Sequence, residues 1–294
     1  MALSIFTSGA AMSSTNALNK SNSILSTAME RLGTGKRINS AADDAAGLQI
    51  ATRLQGQVNG MGVAQRNVAD STAMLQTAEG AFEEVTNILY RMKDLSTQAA
   101  NDTNGVKERT AINSELTELK SELKNIMDNT KYAGEALFGD GTAAAGGKLA
   151  KAVNFQIGAD SGEKLTMDLN AGTPKALETT VTSLTTGLVL GINTGVAADD
   201  LTAINKLMGD VQTALDNVGG VRSSLGANIN RLGHTSANLA NMKDNTTLAL
   251  GNIRDADFAT EATNMTRNQM LAQTSMSMLK QANSMSGMVM SLLG

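Results

Sequence analysis

The stretch LGTGKRINSAADDAAGLQI, from Leu32 to Ile50, lies between two segments in which apolar residues recur with helical periodicity. It contains glycines, a Lys-Arg pair and two adjacent aspartates, which are found in phosphate loops, metal sites and joints between helices. A phosphate-binding P-loop needs a glycine five positions ahead of the glycine of its Gly-Lys pair and a Ser or Thr directly after the lysine. Glu30 and Arg37 occupy these two positions, so the stretch is not a P-loop.

The two aspartates do not form a metal site either. Neighbouring helical residues point about 100° apart, so Asp43 and Asp44 cannot both face one ion. The nearby sequence offers no further carboxylate, histidine or cysteine to complete a coordination shell. Ser40 and Asp43 instead have the spacing of a helix N-cap, with both aspartates near the positive end of the helix dipole. We therefore expect a joint, with the second helix starting at Ser40.

The composition limits what the joint can connect. The chain has 294 residues, one Pro, five Phe, two Tyr and no Trp, so aliphatic residues and 17 Met must fill the core of long helices. Cysteine is absent, which excludes disulfides and thiolate metal sites. A net charge of −4 argues against nucleic acid as a partner. We expect no membrane span and no Sec-type signal peptide, because there is no 18-residue apolar run and no basic residue before Lys20.

Heptad repeats are the strongest signal in the chain. They fall in an N-terminal segment, two long central segments and a C-terminal segment. The repeats begin with Ala11, Leu18, Leu25 and Leu32, continue from Leu54 to Leu89 and from Ile204 to Ile253, and end with Leu271, Met278, Met285 and Leu292. A shorter helix is predicted after Gly105. This nested order predicts that the two ends of the chain pair in an antiparallel manner.

The middle of the chain departs from helical periodicity. The stretch AVNFQIGADSGEKLTMDLN, residues 152–170, alternates in two short runs around GADSG, which predicts a β-hairpin. The expected fold class is therefore mainly α, with long antiparallel helices in a coiled-coil or rod arrangement and a small β-hairpin in the middle segment.

The C-terminal segment allows two interpretations. Seven of the 17 methionines lie in its last 30 residues, among many polar residues and few charges. Its apolar stripe could pack on the N-terminal heptads of the same chain or against other copies of the chain, with Met as adaptable filler. A two-helix pair of this length buries too little surface to be securely stable, which favours assembly.

Several long motifs resemble those of one family, the bacterial flagellins. LGTGKRINSAADDAAGLQI resembles their N-terminal hallmark, and IRDADFATEATNMTRNQMLAQTSMSMLKQANSMSGMVMSLLG resembles their C-terminal hallmark. LGANINRL and VNFQIGADSG lie where flagellins carry similar stretches. The resemblance covers roughly residues 1–170 and 200–294, and it is specific because long motifs occur in the correct order.

The resemblance implies a structural subunit that polymerises into the extracellular filament of the bacterial flagellum for swimming motility. It also implies export in unfolded form through the flagellar type III path, and termini that fold on assembly. The implied inner coiled-coil domain has an N-terminal half at 1–40 and a C-terminal half at 255–294. The implied rod domain consists of 41–170, with the hairpin near 151–170, and 201–254. Residues 171–200 form a variable loop. The joint then lies between the coiled coil and the rod, in a minimal flagellin without large outer domains.

The implied partners are further copies of the chain, a flagellar export chaperone, hook-associated and cap proteins, and an animal Toll-like receptor. The residues expected to form the inner coiled coil are apolar heptad positions and one neighbour: Leu18, Leu25, Leu32, Leu271, Met278, Leu279, Met285 and Leu292. The candidate receptor contact is carried over from the family pattern Arg-x-Arg-Glu-Leu-Ala and a glutamate on the next helix. Arg91, Leu95 and Glu115 match it, whereas Lys93, Asp94 and Ser96 depart from it. These residues could instead serve the axial contact between subunits.

Three alternatives belong to other functions. A hook–filament junction protein shares the two-ended layout, but the strong C-terminal hallmark through Leu293 favours flagellin. A secreted effector with coiled coils would not need its termini for self-association. An enzyme is disfavoured because no nucleophile–base or acid pair lies at workable spacing near Lys36, and no motif indicates a metal or cofactor.

Overall fold

The computed structural model of the chain describes residues 9–138, 147–169 and 197–293. Most of the predicted 171–200 loop lies outside these residues. The described part is mainly α-helical, as the heptads predicted. Its five long helices are α1 (Gly9–Thr34), α2 (Ala45–Ala99), α3 (Val106–Asn129), α4 (Ala197–Arg254) and α5 (Phe258–Leu293).

The chain divides into two compact units. The terminal unit contains the described residues up to Val58 together with those from Lys243 onward. The central unit contains the described residues of Asn59–Met242.

In the central unit, the helices pack in antiparallel pairs. Arg222 on α4 forms a 2.8 Å ion pair with Glu79 on α2, and further along α2 Lys93 bonds to Gln212, earlier on α4. The core contains the large residues of the long heptad repeats, among them Leu75, Phe82, Leu89, Val211, Val218 and Leu225. The ring of Phe82 contacts Phe138 edge to face, with ring centroids 4.8 Å apart. The α2 heptads therefore face the core.

The predicted hairpin is confirmed. Strands β3 (Val153–Gln156) and β4 (Lys164–Met167) are antiparallel, with Val153 opposite Met167. The hairpin lies against α2, where the side-chain amide of Asn67 donates to the Gln156 carbonyl. A second, unpredicted hairpin joins β1 (Lys131–Tyr132) to β2 (Glu135–Ala136). Its two turn residues both have positive φ, which matches the right-handed twist of paired strands.

In the terminal unit, α1 packs along α5. Arg31, near the end of α1, pairs with Glu261, near the start of α5, so the two helices run antiparallel. The antiparallel pairing that the nested heptads predicted is therefore present within a single chain.

Candidate functional site

The contact face of α1 coincides with its predicted heptads. Leu18, Leu25 and Leu32 are half-buried, while the small residues between them, Ser21 and Ala28, are fully buried. This alternation of large and small side chains at three- and four-residue spacing is the pattern of a coiled-coil seam. The small residues allow the α5 backbone to approach closely.

The contact face of α5 is shifted by one residue from the predicted repeat. Ala272 is buried and Leu279 is half-buried, and they continue a run that includes the buried Glu261 and Asn268. Adjacent residues lie about 100° apart around a helix. The predicted positions Leu271, Met278 and Met285 therefore lie beside the seam. They are exposed in the single chain, and the side chain of Leu292 lies outside the described residues.

An apolar surface surrounds the seam on both helices. We call this surface the terminal apolar face and define it by the exposed large residues Met12, Ile24, Met29, Phe258, Met270, Leu271, Met276, Met278 and Met285. Single exposed apolar side chains are common on proteins, but nine large ones on two paired helices indicate a contact surface.

One ion pair lies inside the seam. The Arg31 guanidinium donates a 2.9 Å hydrogen bond to the Glu261 carboxylate, and their side chains are 27% and 10% exposed. Glu261 occupies a position that would be apolar in a regular coiled coil. A polar group at such a position fixes the register of the two helices.

The joint between α1 and α2 runs beside the connection between α4 and α5. Lys36 and Asp255 form an antiparallel β-bridge, in which the Arg37 amide donates to the Arg254 carbonyl and the Ala256 amide to the Gly35 carbonyl. Gly35 has a φ of 69°, a left-handed conformation that glycine adopts without strain after a helix C-terminus. The joint is thus a pair of bridged strands.

The expected start of α2 at Ser40 is wrong. Ser40 begins a turn, because its carbonyl accepts from the Asp43 amide, and α2 begins at Ala45. Asp44 caps the helix, since its Oδ1 accepts a 2.8 Å bond from the Gly47 amide. A Cβ on Gly47 would lie 2.4 Å from Asp44 Oδ2 and 2.8 Å from the buried Ile38. This cap therefore requires glycine three residues after the aspartate.

Asp43 stabilises the turn ahead of the cap. Its carboxylate accepts bonds from the backbone amides of Ser40 and Asn39 and from the Ser40 hydroxyl. These bonds, the Ser40 amide first, lower the pKa of Asp43 below its ordinary value. The two adjacent aspartates thus have separate roles, one in the turn and one at the helix end.

Asp257 caps α5 on the other side of the joint. Its carboxylate accepts from the Thr260 hydroxyl at 2.7 Å and from the Ala259 amide at 3.0 Å. The hydrogen bond from the Thr260 hydroxyl is the largest cause that lowers the pKa of Asp257. The backbone amides of Thr260 and Ala259 lower it further. Both helices that leave the joint therefore start at an aspartate cap.

The candidate receptor residues lie in the central unit. Arg91 and Glu115 are exposed and paired, with the Arg91 Nε and Nη2 donating to one Glu115 oxygen at 2.9 and 2.6 Å. Leu95 is 3% exposed and belongs to the core. The structure therefore brings the two charged residues together at the surface and gives Leu95 a packing position.

Sequence reasoning misses several functional residues. It includes Glu261 and Asp257 only as parts of a family motif and gives no role to Arg31. The sequence does contain a signal for Glu261. It lies in the first turn of α5, at a heptad position otherwise occupied by small residues, and a carboxylate buried at such a position needs a cationic partner. In the described ranges, no group of three or more metal-ligating side chains lies together. Within those same ranges, no helix is long and apolar enough to cross a bilayer.

The described geometry is that of a helical structural protein whose two ends pair and present an apolar face. Residues 5–143 match the family model of the bacterial flagellin N-terminal helical region, and residues 208–293 match that of the C-terminal helical region. The chain is 33% identical to Flagellin A of Vibrio anguillarum, with 100% of both chains covered. It is 38% identical to the flagellin of Halalkalibacterium halodurans, with 90% of each covered.

A solved structure shares the fold. It is that of a putative flagellar hook-associated protein from Vibrio parahaemolyticus, with a TM-score of 0.56, 15% identity, and coverage of 72% of this chain and 100% of that chain. At this identity the likeness shows the fold alone. The family models and the full-length relatives show that the chain belongs to the bacterial flagellins, the structural subunits of the extracellular flagellar filament.

Proposed function

We propose that the terminal apolar face is the surface through which this flagellin polymerises, and that other copies of the chain cover it. The exposure of Met278 and Leu271 beside a seam of small residues supports this proposal. Complete burial of a large apolar side chain stabilises by roughly 1.5–3 kcal/mol, so covering half-exposed ones contributes about 1 kcal/mol each. Nine such residues therefore supply several kcal/mol per subunit, enough to drive assembly.

We also propose that α1 and α5 form an inner coiled-coil domain and that the bridged joint connects it to a rod domain. The implied boundaries are 1–40 and 255–294 for the coiled coil, and 41–170 and 201–254 for the rod. The bridge between Lys36 and Asp255 supports a boundary near these residues. The terminal helices fold on assembly: the seam alone buries mostly small side chains, so the helix pair forms only transiently in the free subunit, and neighbouring copies fix it by covering its apolar face.

Family membership supports three further partners and an export route. We propose that the unfolded chain leaves the cell through the flagellar type III path with an export chaperone. Hook-associated and cap proteins then meet the same terminal helices at the two ends of the filament. The terminal apolar face suits these contacts, since a filament end presents the surface that the next subunit would cover.

Seeded polymerisation tests the proposed assembly surface. Purified chains are heated to dissociate polymer, mixed with short filament fragments, and imaged by negative-stain electron microscopy. Intact chains are expected to extend the seeds, whereas chains that lack residues 265–294 are expected to stay monomeric. Circular dichroism of the truncated chain should still show the helical central unit. Extension of seeds by the truncated chain would contradict the proposal, and failure of the intact chain would favour a junction protein or an effector.

For the receptor, we propose that the exposed Arg91–Glu115 pair forms the contact with an animal Toll-like receptor. The exposure of both side chains supports this proposal. Binding of Glu115→Gln to a purified receptor ectodomain is expected to weaken. Glu118→Gln, which removes an exposed carboxylate one turn away on α3, is the matched control and should bind normally. If Glu115→Gln instead slows seeded polymerisation and leaves receptor binding unchanged, the pair serves the axial contact between subunits.

A further inference from the structure

The methionines of this chain fall into two groups. Those in the central unit are mostly buried, namely Met61, Met74, Met92, Met127 and Met167. Those of the terminal apolar face are exposed, namely Met12, Met29, Met270, Met276, Met278 and Met285. Met242, the last residue of the central unit, is also exposed. The thioether sulfurs that solvent can reach are therefore concentrated on the surface through which the chain is proposed to assemble.

We propose that the terminal apolar face is an oxidative modification site, at which methionine sulfoxide formation blocks polymerisation of the free subunit. The co-reactant is a two-electron oxidant of the peroxide class. The sulfur lone pair attacks one peroxide oxygen, a sulfur–oxygen bond forms, the oxygen–oxygen bond breaks, and water leaves after proton transfer. The sulfur loses two electrons and the peroxide gains them, so the step needs no other reductant or oxidant.

The expected consequence follows from the change in polarity. Sulfoxide replaces an apolar, flexible thioether by a strongly polar group, which is unfavourable inside an apolar contact. Met278 is 60% exposed in the single chain, so it reacts readily there. The cores around Met74 and Met92 exclude the oxidant, and the central unit stays folded. Oxidation thus separates folding from assembly.

The inference rests on the proposed assembly surface, and it adds the stage of assembly at which oxidation acts. Sulfurs that neighbouring copies cover are shielded from peroxide. Oxidation therefore acts on free subunits before they add to a filament, and finished filaments resist it.

The test begins with peroxide treatment of the intact free chain, followed by removal of the peroxide with catalase. Peptide mass mapping then gives the sulfoxide content at each methionine. Met12, Met270 and Met278 are expected to oxidise at least tenfold faster than Met74 and Met92. Equal rates in the two groups would overturn the inference, whether or not the chain polymerises.

The second step is seeded polymerisation of partly oxidised chains, with the pellet and the supernatant mapped separately. Sulfoxide at Met278 and Met285 is expected to be enriched in the supernatant, and the critical concentration should rise by roughly tenfold, which corresponds to about 1.4 kcal/mol. Untreated chains serve as the positive control. If they fail to polymerise, the proposed function fails; if oxidised chains polymerise as well as untreated ones, only the present inference fails.

Leucine variants provide the matched comparison. Met270→Leu/Met278→Leu/Met285→Leu keeps the apolar volume and removes three reactive sulfurs. It is expected to retain more of its polymerisation after peroxide treatment than the unmodified chain does. Met61→Leu/Met74→Leu/Met92→Leu changes the same number of buried methionines and should lose polymerisation as the unmodified chain does. Equal loss in the two variants would overturn the inference.

Discussion

Arg31 and Glu261 form an ion pair across the α1–α5 seam, 2.9 Å apart, where the Glu261 side chain is 10% exposed. Removing the carboxylate leaves a partly buried guanidinium without its partner. Because hydrogen bonds to charged groups contribute about 1.5–3 kcal/mol, Glu261→Ala is expected to destabilise the paired helices by roughly that amount. The measurement is the midpoint of thermal dissociation of filaments.

Glu30→Ala removes an exposed carboxylate from α1 and serves as the control. It should leave the midpoint nearly unchanged, since exposed charges contribute little. In the double variant Arg31→Ala/Glu261→Ala, part of the loss should be recovered because no unpaired charge remains. A Glu261→Ala midpoint equal to that of the unmodified chain would show that the pair does not hold the seam.

Gly47→Ala should weaken the start of α2. The added Cβ would lie 2.4 Å from Asp44 Oδ2 and would displace the cap. The expected loss is about 1–2 kcal/mol in urea unfolding, as for other disrupted N-caps. Gly56→Ala is the matched control, because nothing lies within 4 Å of its added Cβ, and it should stabilise α2 by roughly 0.5–1 kcal/mol. Equal effects of the two substitutions would contradict this role of Gly47.

Acid should loosen the start of α5. The folded pKa of Asp257 lies below the ordinary value of about 3.9, so the charged cap contributes its stability above that pH. The contribution is lost as the pH falls through the lowered folded pKa. Hydrogen exchange at residues 258–262, corrected for intrinsic rates, should therefore accelerate below about pH 4.

Thr260→Val separates this cap from other acid-sensitive groups. The substitution removes the hydroxyl that is the largest cause of the lowered pKa of Asp257. A carboxyl NMR titration should show the pKa of Asp257 closer to its ordinary value, and the acid loosening should begin at higher pH. An unchanged titration would show that the backbone amides alone hold the carboxylate.

Substitutions at neighbouring residues 278 and 279 should have different effects. Met278→Asp places a charge on the terminal apolar face and is expected to abolish polymerisation, while the transient α1–α5 pairing of the free subunit, which a crosslink can trap, is retained. Leu279→Asp places the charge in the seam and should disrupt the helix pair itself. Crosslinking between cysteines introduced at positions 18 and 275, which face each other in the antiparallel register, reports the pair. If Met278→Asp also abolishes this crosslink, the two surfaces are not separate.

The heptads of α1 predicted its contact face, since Leu18, Leu25 and Leu32 are the large residues that define the repeat and they also lie in the seam. The same reasoning selected Leu271 and Met278 on α5, although the seam there uses Ala272 and Leu279. A periodicity count follows large apolar side chains, but close helix packing selects small ones. On α5, the large apolar residues of the repeat and the residues of the seam are therefore different sets.

A long-range hydrogen bond explains why the start of α2 was mispredicted. Ser40 and Asp43 have the spacing of an N-cap, and so do Asp44 and Gly47. The Arg37 amide donates to the Arg254 carbonyl and so keeps the chain in a strand ahead of the turn. Arg254 is more than 200 positions away, so the local spacing alone could not decide between the two caps.

The bridged joint has a mechanical consequence. Both covalent connections between the terminal helices and the long helices run side by side, and the bonds of Arg37 to Arg254 and of Ala256 to Gly35 lie across them. A pull between the terminal helices and the long helices acts on both polypeptides in the same direction, so each carries part of the tension and the bonds between them are not sheared. The joint therefore divides a load that a single connection would carry alone.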